Sequence, residues 1–416
     1  MKPQIYLIRA FGRDDGFRCV PWGITNIASY LKKHGYKAVL ADRKDKAYSL
    51  RRISREISGK NIVYVGISAM TCQSHDATFL CGYFRKRNKK IILGGLHYSI
   101  YPQEGLKIGD YVFKGEAEQG LLDFLQNGPS RQVYEPRPLS DLDDIPLPDE
   151  ELMKRFYLNR DDFTIMTSRG CPYNCGFCLD RQYRPQRIRY HSAGYVCDLI
   201  EMLNKSFGVN RFFIGDDVFT INKERALEIC RQIRKRPLKI KLGCFSHCGI
   251  DDLELYEEMK AAGFEGVSLG VESGSDRVLE AMNKHQTVAQ ARKTIEVIKK
   301  SGLRVSVMFM VGNILETEES LKATLALAKE LGLTGWVSYA QPFPGTKFCQ
   351  DSHKYGRIIN NDPVTYWNDR ITFIPSGLTR SRLRHYRDKI ALAIKARVSW
   401  GTRIMNRITG AISAPQ

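Results

Sequence analysis

The chain has 416 residues, 43% hydrophobic and 26% charged, and its 64 Lys and Arg against 45 Asp and Glu give a net charge of +19. That length holds two or three cored domains, the balance excludes an intrinsically disordered chain, and 11 cysteines are too dilute for a disulfide scaffold. The sparse cysteines point to a reducing cytoplasmic setting, the N-terminus enters a strand-like run with no signal-peptide pattern, and no apolar stretch is long enough to span a bilayer.

Residues 1–128 alternate strand and helix signals in the order of a doubly wound fold. Strands are predicted over 4–10, 37–41, 62–68, 90–93 and 111–113, and helices over 22–34, 50–57, 75–87 and 117–125. Gly35 ends the first helix and Gly94-Gly95 follows the fourth strand, where turn residues belong. This is a Rossmann-like α/β module of flavodoxin type. Such sheets take ligands at the carboxyl ends of their strands, so residues 11–19, 42–46, 68–72 and 94–97 should surround a pocket, with Ser68, Gly94 and Gly95 as contacts.

Pro, Ser, Asp and Gly then dominate, and 129–160 is expected to be a linker. Six strand–helix units follow over 161–348, with strands at 163–166, 211–214, 240–244, 266–269, 304–310 and 335–340. Six units fall short of a closed eight-stranded ring, so a partial (β/α)6 TIM-type barrel is expected, with its chemistry at the carboxyl ends of the strands.

Directly after the first of these strands comes Ser168-Arg-Gly-Cys171-Pro-Tyr-Asn-Cys175-Gly-Phe-Cys178-Leu-Asp180. Three thiolates at C-x3-C-x2-C spacing can hold three irons of a cubane and leave the fourth open to another ligand. A ferredoxin supplies four thiolates per cubane, and structural zinc wants four closed ligands in paired C-x2-C units. The alternative is three buried apolar cysteines. The loop, with Phe177 ahead of the third cysteine, resembles the signature of the radical S-adenosylmethionine (SAM) enzymes. The resemblance implies a 4Fe-4S cluster on Cys171, Cys175 and Cys178. It also implies SAM chelated at the open iron, its reductive cleavage to a 5'-deoxyadenosyl radical, and a reductant such as flavodoxin or ferredoxin.

Asp216 and Asp217 follow the second barrel strand, where paired carboxylates could accept hydrogen bonds from substrate or from the SAM ammonium, or merely cap a turn. His247, after the third strand, is a substrate-contact candidate, with Cys248 structural. After the fourth strand, Gly270-Val-Glu272-Ser273-Gly274 resembles the family segment that contacts the SAM ribose and carboxylate, which carries SAM contacts over to Glu272 and Ser273. The fifth strand ends in Gly312-Asn-Ile-Leu-Glu-Thr317, where the family shows Gly-x-Pro-Gly-Glu-Thr against adenine. Gly312 is carried over as a SAM contact, and Ile314-Leu315 in place of Pro-Gly puts the backbone geometry there in question. Gln341-Pro-Phe-Pro-Gly-Thr346 is similar to the family's closure of the barrel.

The N-terminal module resembles the cobalamin-binding domain that precedes many such barrels, through Pro21-Trp-Gly-Ile24, Gly66-Ile-Ser-Ala-Met-Thr71, Gly94-Gly-Leu-His97 and Lys114-Gly-Glu-Ala-Glu118. It departs at Asp42-Arg-Lys44-Asp-Lys46, where histidine-ligating domains carry Asp-x-His-x-x-Gly. The Lys44 ammonium has no lone pair for cobalt, so cobalamin is expected without a histidine lower ligand at that position, and Arg43, Lys44 and Lys46 face either the nucleotide-tail phosphate or solvent. The resemblance implies cobalamin-dependent C-methylation of an unactivated carbon, or a cyclisation or rearrangement on the same architecture.

A tRNA methylthiotransferase, with a second cluster on Cys19, Cys72 and Cys81, is the competing enzyme, but the chain shows no RNA-binding barrel and nucleic acid is not an expected partner. A corrin or redox sensor is the non-enzymatic alternative. The extension 349–416 ends in a stretch, 377–416, with nine Lys or Arg against Asp388 alone. Apolar residues recur at helical spacing there, giving a basic amphipathic helix that either meets anionic lipid, with a small-molecule or lipid substrate, or docks on the protein's own body.

Overall fold

The structure, a computed structural model, describes residues 4–12, 20–45, 47–58, 62–156, 163–180, 187–366 and 369–394. The chain divides into two compact units, the first comprising 1–158 with 183–185 and 189–191, the second 159–182, 186–188 and 192–416.

The first unit carries strands β1 (Gln4–Arg9), β2 (Ala38–Asp42), β3 (Ile62–Ser68), β4 (Lys90–Gly94), β5 (Tyr111–Phe113) and β6 (Val133–Tyr134) in one sheet of order β2-β1-β3-β4-β5-β6. Every pairing is parallel. Ile5 to Ile8 on β1 are buried in succession, as a central strand covered on both faces requires. Gly66 on β3 is forced by closeness, since a Cβ there would lie 2.6 Å from Leu7 Cδ2. The connecting helices are α1 (Trp22–Lys33), α2 (Leu50–Ser58), α3 (Ser74–Arg85), α4 (Leu96–Ile100), α5 (Pro102–Ile108) and α6 (Glu118–Asn127). Strand order reverses direction at β1/β3, so the carboxyl ends of those two strands flank the crevice of a doubly wound sheet.

The described part of the stretch read as a linker, 129–156, is built into this unit. β6 extends the sheet, Tyr134 stacks on Phe113 at 4.6 Å, and Leu142 and Ile145 are fully buried. Arg155 anchors its far end, donating to Leu40 O at 2.7 Å and to Glu56 at 2.6 Å. Pro and Ser marked irregular backbone, but the scattered apolar residues between them found the core.

The second unit is a six-stranded parallel sheet in sequential order, β12 to β7, built from β7 (Phe163–Ile165), β8 (Arg211–Ile214), β9 (Lys241–Ser246), β10 (Phe264–Glu272), β11 (Arg304–Val311) and β12 (Thr334–Tyr339). Helices α7 (Ala193–Phe207), α8 (Lys223–Arg234), α9 (Leu253–Ala261), α10 (Asp276–Ala281), α11 (Val288–Lys300) and α12 (Glu318–Leu331) connect the strands. Along β11, Val305, Val307, Phe309 and Val311 are buried while Ser306, Met308 and Met310 keep partial exposure. That alternation separates a helix-covered outer face from an inner face lining an unclosed barrel. After α13 (Lys347–Tyr355), β13 (Gly356–Ile358) pairs antiparallel with β14 (Phe373–Pro375).

The basic C-terminal helix α14 (Arg380–Ala393) packs against α12 and β12, burying Leu383, Tyr386 and Ile390. Within the described residues, docking on the protein's own body is therefore the outcome for this helix. Lys395, Arg397, Arg403 and Arg407 lie outside the described residues. No described helix is long and apolar enough to cross a membrane.

Candidate functional site

The cysteine loop leaves the carboxyl end of β7 through Gly170, whose φ of +100° only glycine adopts without strain. Backbone bonds fix it on two sides: Gly176 N–H donates to Met282 O at 2.7 Å, and Phe348 N–H donates to Gly176 O at 2.8 Å. The Asn283 amide adds a bond to Asn174 O at 3.1 Å, and Tyr173 stacks on His247 with centroids 4.0 Å apart. A loop so tied presents its three sulfurs without depending on their ligand.

Cys171, Cys175 and Cys178 are half-buried and form no disulfide. Burial pushes the Cys171 thiol up to about 12 and the Cys178 thiol to about 11, and Asp217 adds to both shifts. The Cys175 thiol is raised by burial, with Lys284 working against it. Such thiols stay protonated in water and deprotonate only for a cation bound among them. Among the described residues no three His, Cys, Asp or Glu side chains close on one point, as a single-ion site demands. A cubane gives each thiolate its own iron, so three cysteines need not close on one point to hold it, and the Asp180 N–H already donates to Cys178 Sγ at 3.4 Å.

Facing the loop is a buried ion pair that the sequence did not announce. β10 ends in a bulge where the register shifts between Gly270 and Glu272, and Glu272 takes φ of +63°. The Gln286 amide braces this turn from the Gly270 and Val271 carbonyls at 2.9 and 3.1 Å. Lys284 Nζ donates to Glu272 Oε1 at 3.0 Å, with the lysine 9% and the glutamate 7% exposed. Burial alone would lower the Lys284 ammonium, but Glu272 and Cys175 outweigh it and hold it above its ordinary range. Its Nζ also lies 5.8 Å from the Phe177 ring centroid. A Cβ on Gly270 would come within 2.8 Å of that Nζ, so the glycine clears the space. Ser273, fully buried, is taken up instead by Thr324 Oγ1 at 3.3 Å and by the Ser275 N–H at 3.2 Å, which makes it a brace of the turn.

The two aspartates part company. Asp216 is fully buried and accepts from Thr167 N–H at 2.5 Å, Ser168 N–H at 3.0 Å and Thr167 O–H at 2.6 Å. It therefore fixes the strand end that launches the cysteine loop, a positioning task in place of the catalytic one expected. Arg225 reinforces it by donating to Thr167 O at 2.8 Å. Asp217 is exposed at the same strand end, within electrostatic reach of Cys171 and Cys178. His247, expected to face substrate, is 5% exposed and stacked against Tyr173 of the loop. Burial, then the Lys284 charge, lowers it to about 4, so it is neutral, and its Nε2–H donates to the Lys284 carbonyl at 3.2 Å.

Gly312 stands at φ +88°, and its N–H donates to Glu316 Oε2 together with that of Asn313 at 3.2 Å. Glu316 is 1% exposed, its Oε1 has no hydrogen-bond partner, and burial outweighs the two N–H bonds to raise it to about 7. Leu315 settles the question left by the missing glycine: it takes φ of +59°, so the turn keeps the left-handed geometry and the side chain bears the strain. Ile314, Leu315, Phe177 and Phe348 pack together beside a cavity of about 130 Å³ that Asn313 and Met282 also line.

In the first unit, Ser68, Gly94 and Gly95 come together at the ends of β3 and β4. Ala69 N–H donates to Gly94 O at 3.1 Å, and at φ +86° a Cβ on Gly95 would lie 2.8 Å from Ala69 N. Phe11 and Met70, in the loops after β1 and β3, stay 45% and 41% exposed, giving this edge an apolar surface suited to a flat macrocycle. Arg43 is not left facing a phosphate: it pairs with Asp76 at 2.6 and 2.9 Å. Cys81 is 1% exposed on α3 and packs into the core of the first unit, away from the strand ends; Cys19 and Lys46 lie outside the described residues.

Comparison with known proteins adds to this geometry. The family model for the radical SAM superfamily matches residues 165–328, and that for the B12 binding domain matches 8–125. An uncharacterized methyltransferase of Pyrococcus horikoshii is 30% identical over 396 residues, covering 88% of this chain and 84% of the relative. The anaerobic magnesium-protoporphyrin IX monomethyl ester cyclase of Rubrivivax gelatinosus is 29% identical over 371 residues, 80% of this chain and 66% of its own length. Among solved structures, the radical SAM methyltransferase TsrM of Kitasatospora setae, with cobalamin and a [4Fe-4S] cluster bound, superposes with a TM-score of 0.72 at 16% identity, covering 94% of this chain and 85% of that one.

Proposed function

The chain belongs to the cobalamin-dependent radical SAM methyltransferase family, and from that premise we propose that it methylates an unactivated carbon of a small organic substrate. One observation carries the proposal. A C-x3-C-x2-C loop stands at the carboxyl end of the first strand of a six-stranded parallel half-barrel, and a 2-1-3-4-5-6 sheet precedes it in the same chain.

Cys171, Cys175 and Cys178 would hold the 4Fe-4S cluster, Glu272 and the Gly312 turn would meet SAM, and the edge formed by Ser68, Gly94, Gly95, Phe11 and Met70 would take cobalamin. When bound, cluster and SAM supply a 5'-deoxyadenosyl radical that removes hydrogen from the substrate, and cobalamin supplies the methyl group. The protein's own groups orient and exclude water. Asp216 fixes the loop's launch point and neutral His247 backs its first turn. Lys284 holds the Glu272 carboxylate, and the Met308 and Met310 face lines the interior with apolar surface. Asp217, exposed at the same strand end, would be the carboxylate that meets a substrate or an ammonium. The reaction draws electrons from an external reductant.

The test is anaerobic reconstitution of the full chain with iron, sulfide and a corrinoid, followed by reduction with methyl-deuterated SAM. We expect about four irons per chain, corrinoid absorption that survives gel filtration, 5'-deoxyadenosine, and label in the product. Alanine at any of the three loop cysteines should abolish both the iron chromophore and SAM cleavage; turnover that persists would end the proposal. The likeness to a cyclase along 80% of this chain favours ring closure as the second reading, and an unlabelled, cyclised product would establish it.

A further inference from the structure

A second pocket opens on the outer side of the barrel unit, where the last strand meets the C-terminal helix. Tyr339 ends β12, and its register against the buried Val311 turns it to the helix-covered face. It is 6% exposed, yet its phenol hydroxyl has no hydrogen-bond partner among the described residues. The ring stands in the wall of a cavity of about 280 Å³ completed by Asn360, Asp369, Arg370, Arg380 and Arg384. At roughly 30 Å³ per water that is room for about nine waters, enough for a tetrahedral oxyanion and part of whatever carries it.

Charge is what singles this pocket out. Arg380 and Arg384 lie one turn apart on α14, and neither they nor Arg370 pair with a carboxylate among the described residues. Their neighbours do pair: Arg382 reaches Glu318 at 3.4 Å and Arg387 reaches Asp388 at 3.1 Å. The unpaired guanidiniums are thus the ones that line the cavity. Three guanidiniums less the Asp369 carboxylate leave a net +2 around the space. All three arginines are exposed and solvated, so they attract an anion without requiring one, and the planar donor fork of arginine matches phosphate oxygens. A phosphate monoester carries close to two negative charges at neutral pH, which matches the imbalance. Asn360 is occupied within its own loop, its amide donating to Thr365 Oγ1 at 2.7 Å, so the arginines and the Tyr339 hydroxyl are the donors available.

We propose that this pocket is a phosphate-binding site, filled by a phosphorylated small molecule or by the headgroup of an acidic phospholipid. It is independent of the methyl-transfer site and is tested without turnover. Inorganic phosphate is titrated into the full, cluster- and corrinoid-loaded chain by calorimetry, with chloride holding ionic strength constant. We expect saturable binding that weakens about tenfold or more in Arg380→Gln/Arg384→Gln, since hydrogen bonds to charged groups are the strong ones. Binding should weaken several-fold in Tyr339→Phe, which keeps the ring's packing and removes only the hydroxyl.

Vesicles of phosphatidylglycerol and of phosphatidylcholine separate the two sources. Co-sedimentation with the acidic vesicles that phosphate displaces assigns a headgroup, and phosphate binding without sedimentation assigns a soluble ester. Absence of saturable phosphate binding, or binding unchanged in both variants, overturns the site. Sedimentation that phosphate does not displace, without phosphate binding of its own, overturns it as well.

Discussion

Replacing Glu316 by glutamine isolates the cost of one buried carboxyl. Its folded-state value of about 7 stands above the ordinary 4.5 because burial outweighs the Gly312 and Asn313 N–H bonds. A group whose folded value is raised leaves stability untouched below 4.5, where both states are protonated. It lowers stability as pH climbs, because the unfolded chain ionises first. The full loss is about 3 kcal/mol, from ~2.5 pH units at ~1.36 kcal/mol each, of which roughly 2.5 kcal/mol falls between pH 5 and 8. Other groups titrate over the same range, so the measured quantity is the wild-type minus Glu316→Gln difference in urea-unfolding free energy at the two pH values. The variant should gain on the wild type by about 2 to 3 kcal/mol on going from pH 5 to 8. A difference that does not change with pH would show that this carboxyl is already ionised in the fold, or hydrated, and the account of the turn would be wrong.

Leu315→Gly removes a left-handed strain of about 1 kcal/mol and also the packing of one half-buried side chain of about 1.5 kcal/mol. The two nearly cancel, so its melting temperature should stay close to wild type, whereas Leu315→Val, which keeps the strain and adds β-branching, should melt several degrees lower. Asp216→Asn can keep its amide oxygen on the two N–H groups but turns the acceptor facing the Thr167 hydroxyl, which already accepts from Arg225, into a donor, and should cost about 1–3 kcal/mol. Reconstituted iron per chain should drop while the far-UV circular dichroism holds. Lys284→Met strands the Glu272 carboxylate without its partner and should cost about 3–5 kcal/mol; Lys284→Met/Glu272→Leu should recover most of it, as read from unfolding midpoints. Cys72→Ala/Cys81→Ala should leave iron content unchanged, since Cys81 is buried in the core of the first unit.

Local pattern carried most of the architecture into view. The β1-to-β5 succession and the six barrel strands were legible because parallel strands buried on both faces are apolar runs of fixed length, bounded by glycine and short polar turns. The cysteine loop was legible because its chemistry is a spacing. What escaped was either short or non-local. β6 is two residues in a proline-rich stretch, and α4 and α5 are abutting helices of five and seven residues, too short for a helical period. Glu272 and Lys284 are separated by a helix, so only the fold brings their charges together. Asp216 and Asp217 look alike in sequence, and only the alternation of strand faces decides that one is buried in bonds and the other is exposed. His247 follows the expected strand, and nothing local says that Tyr173 of the cysteine loop stacks on it.

The six strands of the barrel unit stop short of a ring: β7 and β12 are not hydrogen-bonded to each other, so no circuit of ladder bonds runs all the way round. A closed barrel fixes its girth, because widening it means breaking a pairing along a whole strand. An open one can uncurl, each strand rotating a few degrees on its neighbour while every bond survives. Strand pairing therefore does not fix the bore of the interior here, and the thiolate loop at its rim follows an edge strand that has a ladder on one side only.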